Sequence, residues 1–72
     1  MARIAAVGDP HRIQLLAIAG VDAHPAASDD EAIEAWRELT DDVAVLILTP
    51  EAARALGSRV AERRDLLVTV MA

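Results

Sequence analysis

The run Gly8-Asp9-Pro10-His11-Arg12 comes closest to a constellation that could do chemistry. Gly8 lets the chain turn sharply, and a helix starting at Pro10 would aim free N–H groups at anything bound there. His11 and Arg12 would add positive charge or acid/base capacity, so Gly8, His11 and Arg12 form a candidate anion site. Capping accounts for the same residues: Asp9 suits the position before a helix and Pro10 its first turn. A lone Gly8 makes neither a GxGxxG nor a P-loop pattern, and Asp9 has the wrong sign for a phosphate.

The other reactive types are dispersed. Asp29-Asp30-Glu31 and Asp41-Asp42 lack the alternating ligand spacing of a calcium loop. Ser28, Thr49 and Ser58 have no base beside them in sequence, as a nucleophile requires. There is no cysteine, and His11 and His24 are far apart with no second ligand at metal spacing. The sequence therefore implies no catalytic residue, no metal site and no cofactor. A phosphoryl-accepting receiver domain would need an aspartate at the end of its third strand, where this chain has Leu46-Ile47-Leu48.

The elements that must position these residues are well marked. Val43-Ala44-Val45-Leu46-Ile47-Leu48 is unbroken apolar sequence, as expected of a parallel strand buried on both faces. Thr49-Pro50 then caps and opens a helix, expected to run to about Arg64 with Ala53, Leu56 and Val60 inward and a bend or break at Gly57. Arg3 to Val7 reads as the first strand and Pro10 to Ala19 as the first helix, with Ile13, Leu16, Ala17 and Gly20 on its sheet side. Val21 to Ala26, with Asp22, His24 and Pro25, suits a short edge strand. Ser28 with Glu31 matches a capping box for a second helix whose buried stripe is Ala32, Ile33, Trp36 and Leu39. Leu66 to Met71 closes the chain as a fourth strand.

Strand and helix alternate throughout, and right-handed crossovers make that a parallel sheet with helices on both faces. The expected fold is a single α/β domain over residues 1–72, a small three-layer sandwich with a four-stranded parallel sheet in order 2-1-3-4, Rossmann- or flavodoxin-like. At 72 residues the core is thin, so burial by association is expected. The first helix supplies a surface for it: Leu15 and Ile18 fall off the sheet side, leaving the helix apolar nearly all round. Trp36 shares a stripe with Ile33 and Leu39, which favours a core role over an interface role.

Charge and hydropathy narrow the partners. A net charge of −5 opposes a phosphate backbone, and a single aromatic residue offers no stacking platform, so nucleic acid is not expected. No apolar run approaches the roughly 20 residues that cross a bilayer, and the chain is expected to be soluble and cytoplasmic.

Ile4-Ala5-Ala6-Val7-Gly8-Asp9, Leu16 to Val21, Asp30-Glu31-Ala32-Ile33-Glu34-Ala35 and Val45-Leu46-Ile47-Leu48-Thr49-Pro50-Glu51 together resemble the F subunit of the archaeal and vacuolar-type (A/V-type) rotary ATPases. The resemblance covers nearly the whole chain. It implies a non-catalytic component of the central rotor stalk of a proton- or sodium-translocating ATPase or ATP synthase. Such a component binds the coiled-coil D subunit of the stalk and is peripheral to the membrane through the complex. The resemblance further implies a C-terminal helix that reaches the catalytic head; this sequence stops at Ala72, directly after the fourth strand, so no head-contacting role is expected. Leu15 and Leu16 stand where the family often has a glycine and an aromatic, and the proline common around the last strand is missing. The alternative from the residues alone is a stand-alone α/β domain that self-associates through the first helix or last strand and binds an anion at Gly8 to Arg12.

Overall fold

A computed structural model describes residues 2–72. Each of the first three strands hands over to a helix through a side-chain cap. β1 (Arg3–Gly8) is followed by α1 (Pro10–Ile18), where the Asp9 carboxylate accepts from the His11 N–H. β2 (Asp22–Pro25) leads to α2 (Asp29–Glu38), whose Ser28 hydroxyl accepts from Glu31 N–H while the Glu31 carboxylate accepts from Ala27 N–H. β3 (Val43–Leu48) leads to α3 (Pro50–Leu56), where the buried Thr49 hydroxyl accepts from Ala52 N–H at 3.3 Å. These bonds satisfy donors that a helix start leaves unpaired, and they fix each boundary to within a residue.

The helix expected to reach Arg64 stops at Leu56. Gly57 takes up φ 54°, a left-handed conformation open to glycine at little cost, and Gly57–Glu62 continues only as a 3-10 turn. β4 (Leu67–Val70) follows. Arg63 ties the turn to α2: its guanidinium donates to the Thr40 carbonyl at 3.0 Å, sits 3.6 Å from Asp41 and lies over the Trp36 ring. Before β3, Asp42 accepts from the Thr40 hydroxyl and pairs with Arg3 at 3.2 Å. These contacts, the hydroxyl first, hold the Asp42 carboxyl below its usual range.

All pairings are parallel and the sheet order is β2-β1-β3-β4. Because β2 lies on one side of β1 while β3 and β4 lie on the other, right-handed crossovers send α1 to one face and both α2 and α3 to the opposite face. The packing follows that rule: α1 lies over β1 and β2, while α2 and α3 pack on each other and on the sheet's other face. Ala5, Val7, Leu46 and Leu48 point into this two-helix side and form the main core with Ala32, Ala35, Trp36, Ala52 and Leu56.

The register puts Ile4 and Ala6 of β1, Val45 and Ile47 of β3, and Leu67 and Thr69 of β4 on the α1 side. Ala6 and Ile13 are buried there under α1. Val45 and Ile47 are only half-buried, so β3 is fully covered on one face and not on both as its sequence suggested. The physical reason is that one helix cannot span four strands: a helix is about 10 Å wide, and strands lie about 4.8 Å apart. On the helices themselves, Ile33 and Leu16 are half-buried and Ala17 is exposed, whereas Ala35, absent from the expected stripe, is buried.

Candidate functional site

Two places can be weighed as sites: the crevice where the sheet order reverses, and the uncovered half of the α1 face. At the crevice, Gly8 ends β1 against Thr49. The Thr49 N–H donates to the Val7 carbonyl at 3.2 Å, and a Cβ at residue 8 would fall 2.8 Å or less from three Thr49 side-chain atoms. The glycine is thus required by the close packing of β1 on the start of α3.

A cavity of about 380 Å³ opens beside this contact, lined by Asp9, Ala26, Ala27, Ser28, Asp29, Ala32, Glu51 and Ala52. The structure does not bring Gly8, His11 and Arg12 together on it. His11 is exposed and contributes its backbone N–H to the Asp9 cap. Arg12 turns away to donate to the Ala72 oxygen, 3.9 Å from Glu51. The carboxylates of Asp9, Asp29 and Glu51 remain around the opening and would repel an anion. Ser28, which lines the cavity, and the buried Thr49 are both engaged in capping.

The second place is built from apolar side chains. Leu15 and Ile18 are 68% and 82% exposed on the side of α1 that faces away from the sheet, Leu67 is 66% exposed on the uncovered half of the sheet, and Ile4 of β1 is 46% exposed in a recess with Ala17, Ala19 and Gly20 at the end of α1. Arg12, reaching from α1 to Ala72 at the end of β4, shows which flank of the helix overlooks this face. The helical repeat puts Leu16 and Ala19 on that same flank. A trough therefore runs beside α1, with Val45, Ile47, Leu67 and Thr69 as its floor. Ile4 was not singled out by sequence reasoning, since it sits in a run that reads as buried strand, and Leu67 entered only as part of a last strand that could pair with another chain. The signal that finds them is topological: order 2-1-3-4 gives one face two helices and the other face one.

Comparisons with known proteins agree with this architecture. A search of curated proteins finds no match. Among solved structures, the chain is similar to the F subunit of the V-type ATP synthase from Archaeoglobus fulgidus, with a TM-score of 0.82 and 26% identity over 99% of this chain and 98% of that one. The family model described as ATP synthase (F/14-kDa) subunit matches residues 4–72. With a matching family model over nearly all its length and a full-length likeness in structure, the chain belongs to the F/14-kDa subunit family of ATP synthases.

Proposed function

We propose that this chain is a non-catalytic central-stalk component of an A/V-type rotary ATPase, and that it binds the coiled-coil D subunit of the stalk through the uncovered half of its sheet and the outer side of α1. The observation that carries the reading is the pairing of exposed Leu15 and Ile18 with exposed Leu67 on one side of the molecule. Large apolar side chains exposed on one side of a fold mark an interaction site. A coiled-coil helix presents an apolar seam, which suits exposed leucine and isoleucine. Family membership supports the same assembly. A non-catalytic role is supported by the engagement of Ser28 and Thr49 in caps. No helix among the described residues is long and apolar enough to cross a membrane, in keeping with a peripheral position in the complex.

Light scattering of the purified chain mixed with the coiled-coil stalk protein of the same organism tests this directly. A one-to-one complex is expected. Leu15→Glu with Ile18→Glu is expected to weaken it by at least about tenfold, the effect of losing roughly 1.4 kcal/mol at an interface, with circular dichroism unchanged. Failure to form any complex, or full affinity in the double variant, would overturn the proposed mode of binding.

A further inference from the structure

Between the fully buried Leu56 and the buried Leu66, no residue of 57–65 is buried. The segment leaves α3 at Gly57, with φ 54° and ψ −129°, continues as the 3-10 turn and ends in a turn at Arg64-Asp65 before β4. A Cβ on Gly57 would meet nothing within 4 Å, so the glycine serves the backbone and not the packing. Three residues per turn bring Val60 and Arg63 to one side, and these are the segment's two half-buried side chains. Val60 packs against the main core. The Arg63 guanidinium lies 5.7 Å from the centre of the Trp36 ring, donates to the Thr40 carbonyl at 3.0 Å and stands 3.6 Å from the Asp41 carboxylate. Arg59, Glu62, Arg64 and Asp65 are exposed.

We propose that residues 57–65 are a hinged strap that opens as a unit while the sheet and its three helices stay folded, with Arg63 as its latch on Trp36 and Thr40. Local opening costs least where few apolar side chains are buried, and this segment commits one valine and one arginine. Its two ends are a glycine and a turn, the kinds of position that absorb a change of backbone angle. In the latch, a cation rests on a ring face and an N–H meets a carbonyl, while the fully exposed Asp41 adds little. Opening bares the ring face that Arg63 covers and the core side chains against which Val60 packs. The closed side of the sheet thereby has a second conformation that it reaches without unfolding. The strap lies on that two-helix side, away from the surface assigned to the stalk protein, and its opening does not depend on that assembly.

The test is amide hydrogen exchange of the whole chain, read residue by residue by NMR at urea concentrations below the unfolding transition. The amides of Val60, Ala61 and Glu62, and of Leu66, which donates to the Arg63 carbonyl at 3.3 Å, are expected to share one opening free energy. It should lie well below that of the β1 and β3 amides and depend less on urea, because a strap exposes less surface than the unfolded chain. Arg63→Ala is expected to speed the strap amides by about tenfold, and Arg63→Gln, which keeps a donor but loses the charge, by less. Asp41→Ala should leave them unchanged. Val7→Ala, in the core, should speed β1 and β3 exchange and leave the strap amides as they are, since strap opening keeps the packing of Val7 intact. Strap amides that match β1 and β3 in free energy and urea dependence, or that respond to Val7→Ala, overturn the proposal, because the segment then opens only with the whole fold. Strap amides that exchange independently of one another also overturn it. Asp41→Ala acting as strongly as Arg63→Ala, or Arg63→Ala without effect, overturns the latch.

Discussion

α1 and α2 lie on opposite faces of one sheet, both pack against β1 and β2, and they are built differently. α2 has a single buried side, with Ala32, Ala35 and Trp36 inward and Glu34, Arg37 and Glu38 outward. It shares its face with α3, and the two helices close that side of the sheet. α1 works alone, buries Ile13 completely, and carries leucine and isoleucine where α2 carries charge. The closed face holds the fold together, and the open face leaves large apolar side chains in contact with solvent. A helix with one apolar side has found its place within the chain, whereas a helix with two has a side still to satisfy.

The sharpest way to break the comparison is to remove the same kind of side chain from each face. Leu46 points into the closed side and is fully buried, so Leu46→Ala should cost about 2–5 kcal/mol in transfer free energy and cavity. That is a large share of the stability of any small domain, and it should appear in urea unfolding as a much lower midpoint. If Leu46→Ala were no worse than a change on the open face, the division of labour between the faces would be wrong.

How much of this was legible in the sequence depends on whether a feature is set by neighbours or by topology. Asp9, Ser28 and Thr49 lie at the helix starts read from the sequence, because a cap is a contact between residues two or three apart. The sheet order followed from strand alternation and crossover handedness. The extent of α3 did not, since Gly57 can be tolerated in a helix or can end one, and here its positive φ ends it. Apolar runs such as Val43 to Leu48 show which side chains avoid water but not whether a helix covers them. That depends on where α1 is sent by the position of β2. At the candidate anion site, Arg12 is committed to Ala72, a residue at the other end of the chain, which no local pattern reveals.

Capping gives a middle-sized effect and sharpens the comparison at its edge. Ser28→Ala removes the acceptor for Glu31 N–H at the start of α2, on the closed face, and should lower stability by about 1 kcal/mol. Ser28→Asp restores an acceptor and should recover most of the loss, since negative charge at a helix start is favourable. Thermal denaturation of the pair against the wild type checks both. Equal losses for alanine and aspartate would show that Ser28 matters for something other than the cap.

The smallest effect is expected at Leu67, and its size should depend on the coiled-coil stalk protein. In β4 this side chain is two-thirds exposed on the open face, opposite in role to Leu46 although the two lie on adjacent strands. In the chain alone, Leu67→Thr should change unfolding free energy by no more than about 0.5 kcal/mol, because a β-branched hydroxyl residue suits an exposed strand position. With the stalk protein added the wild type gains stability from binding that covers Leu67, by mass action, and the variant loses part of that gain. A gap between wild type and Leu67→Thr that widens as the stalk protein is added would therefore assign the open face to binding. A gap that is large and constant would mean that Leu67 already supports the isolated fold, and the contrast with Leu46 would fail at the strand where it is most exposed.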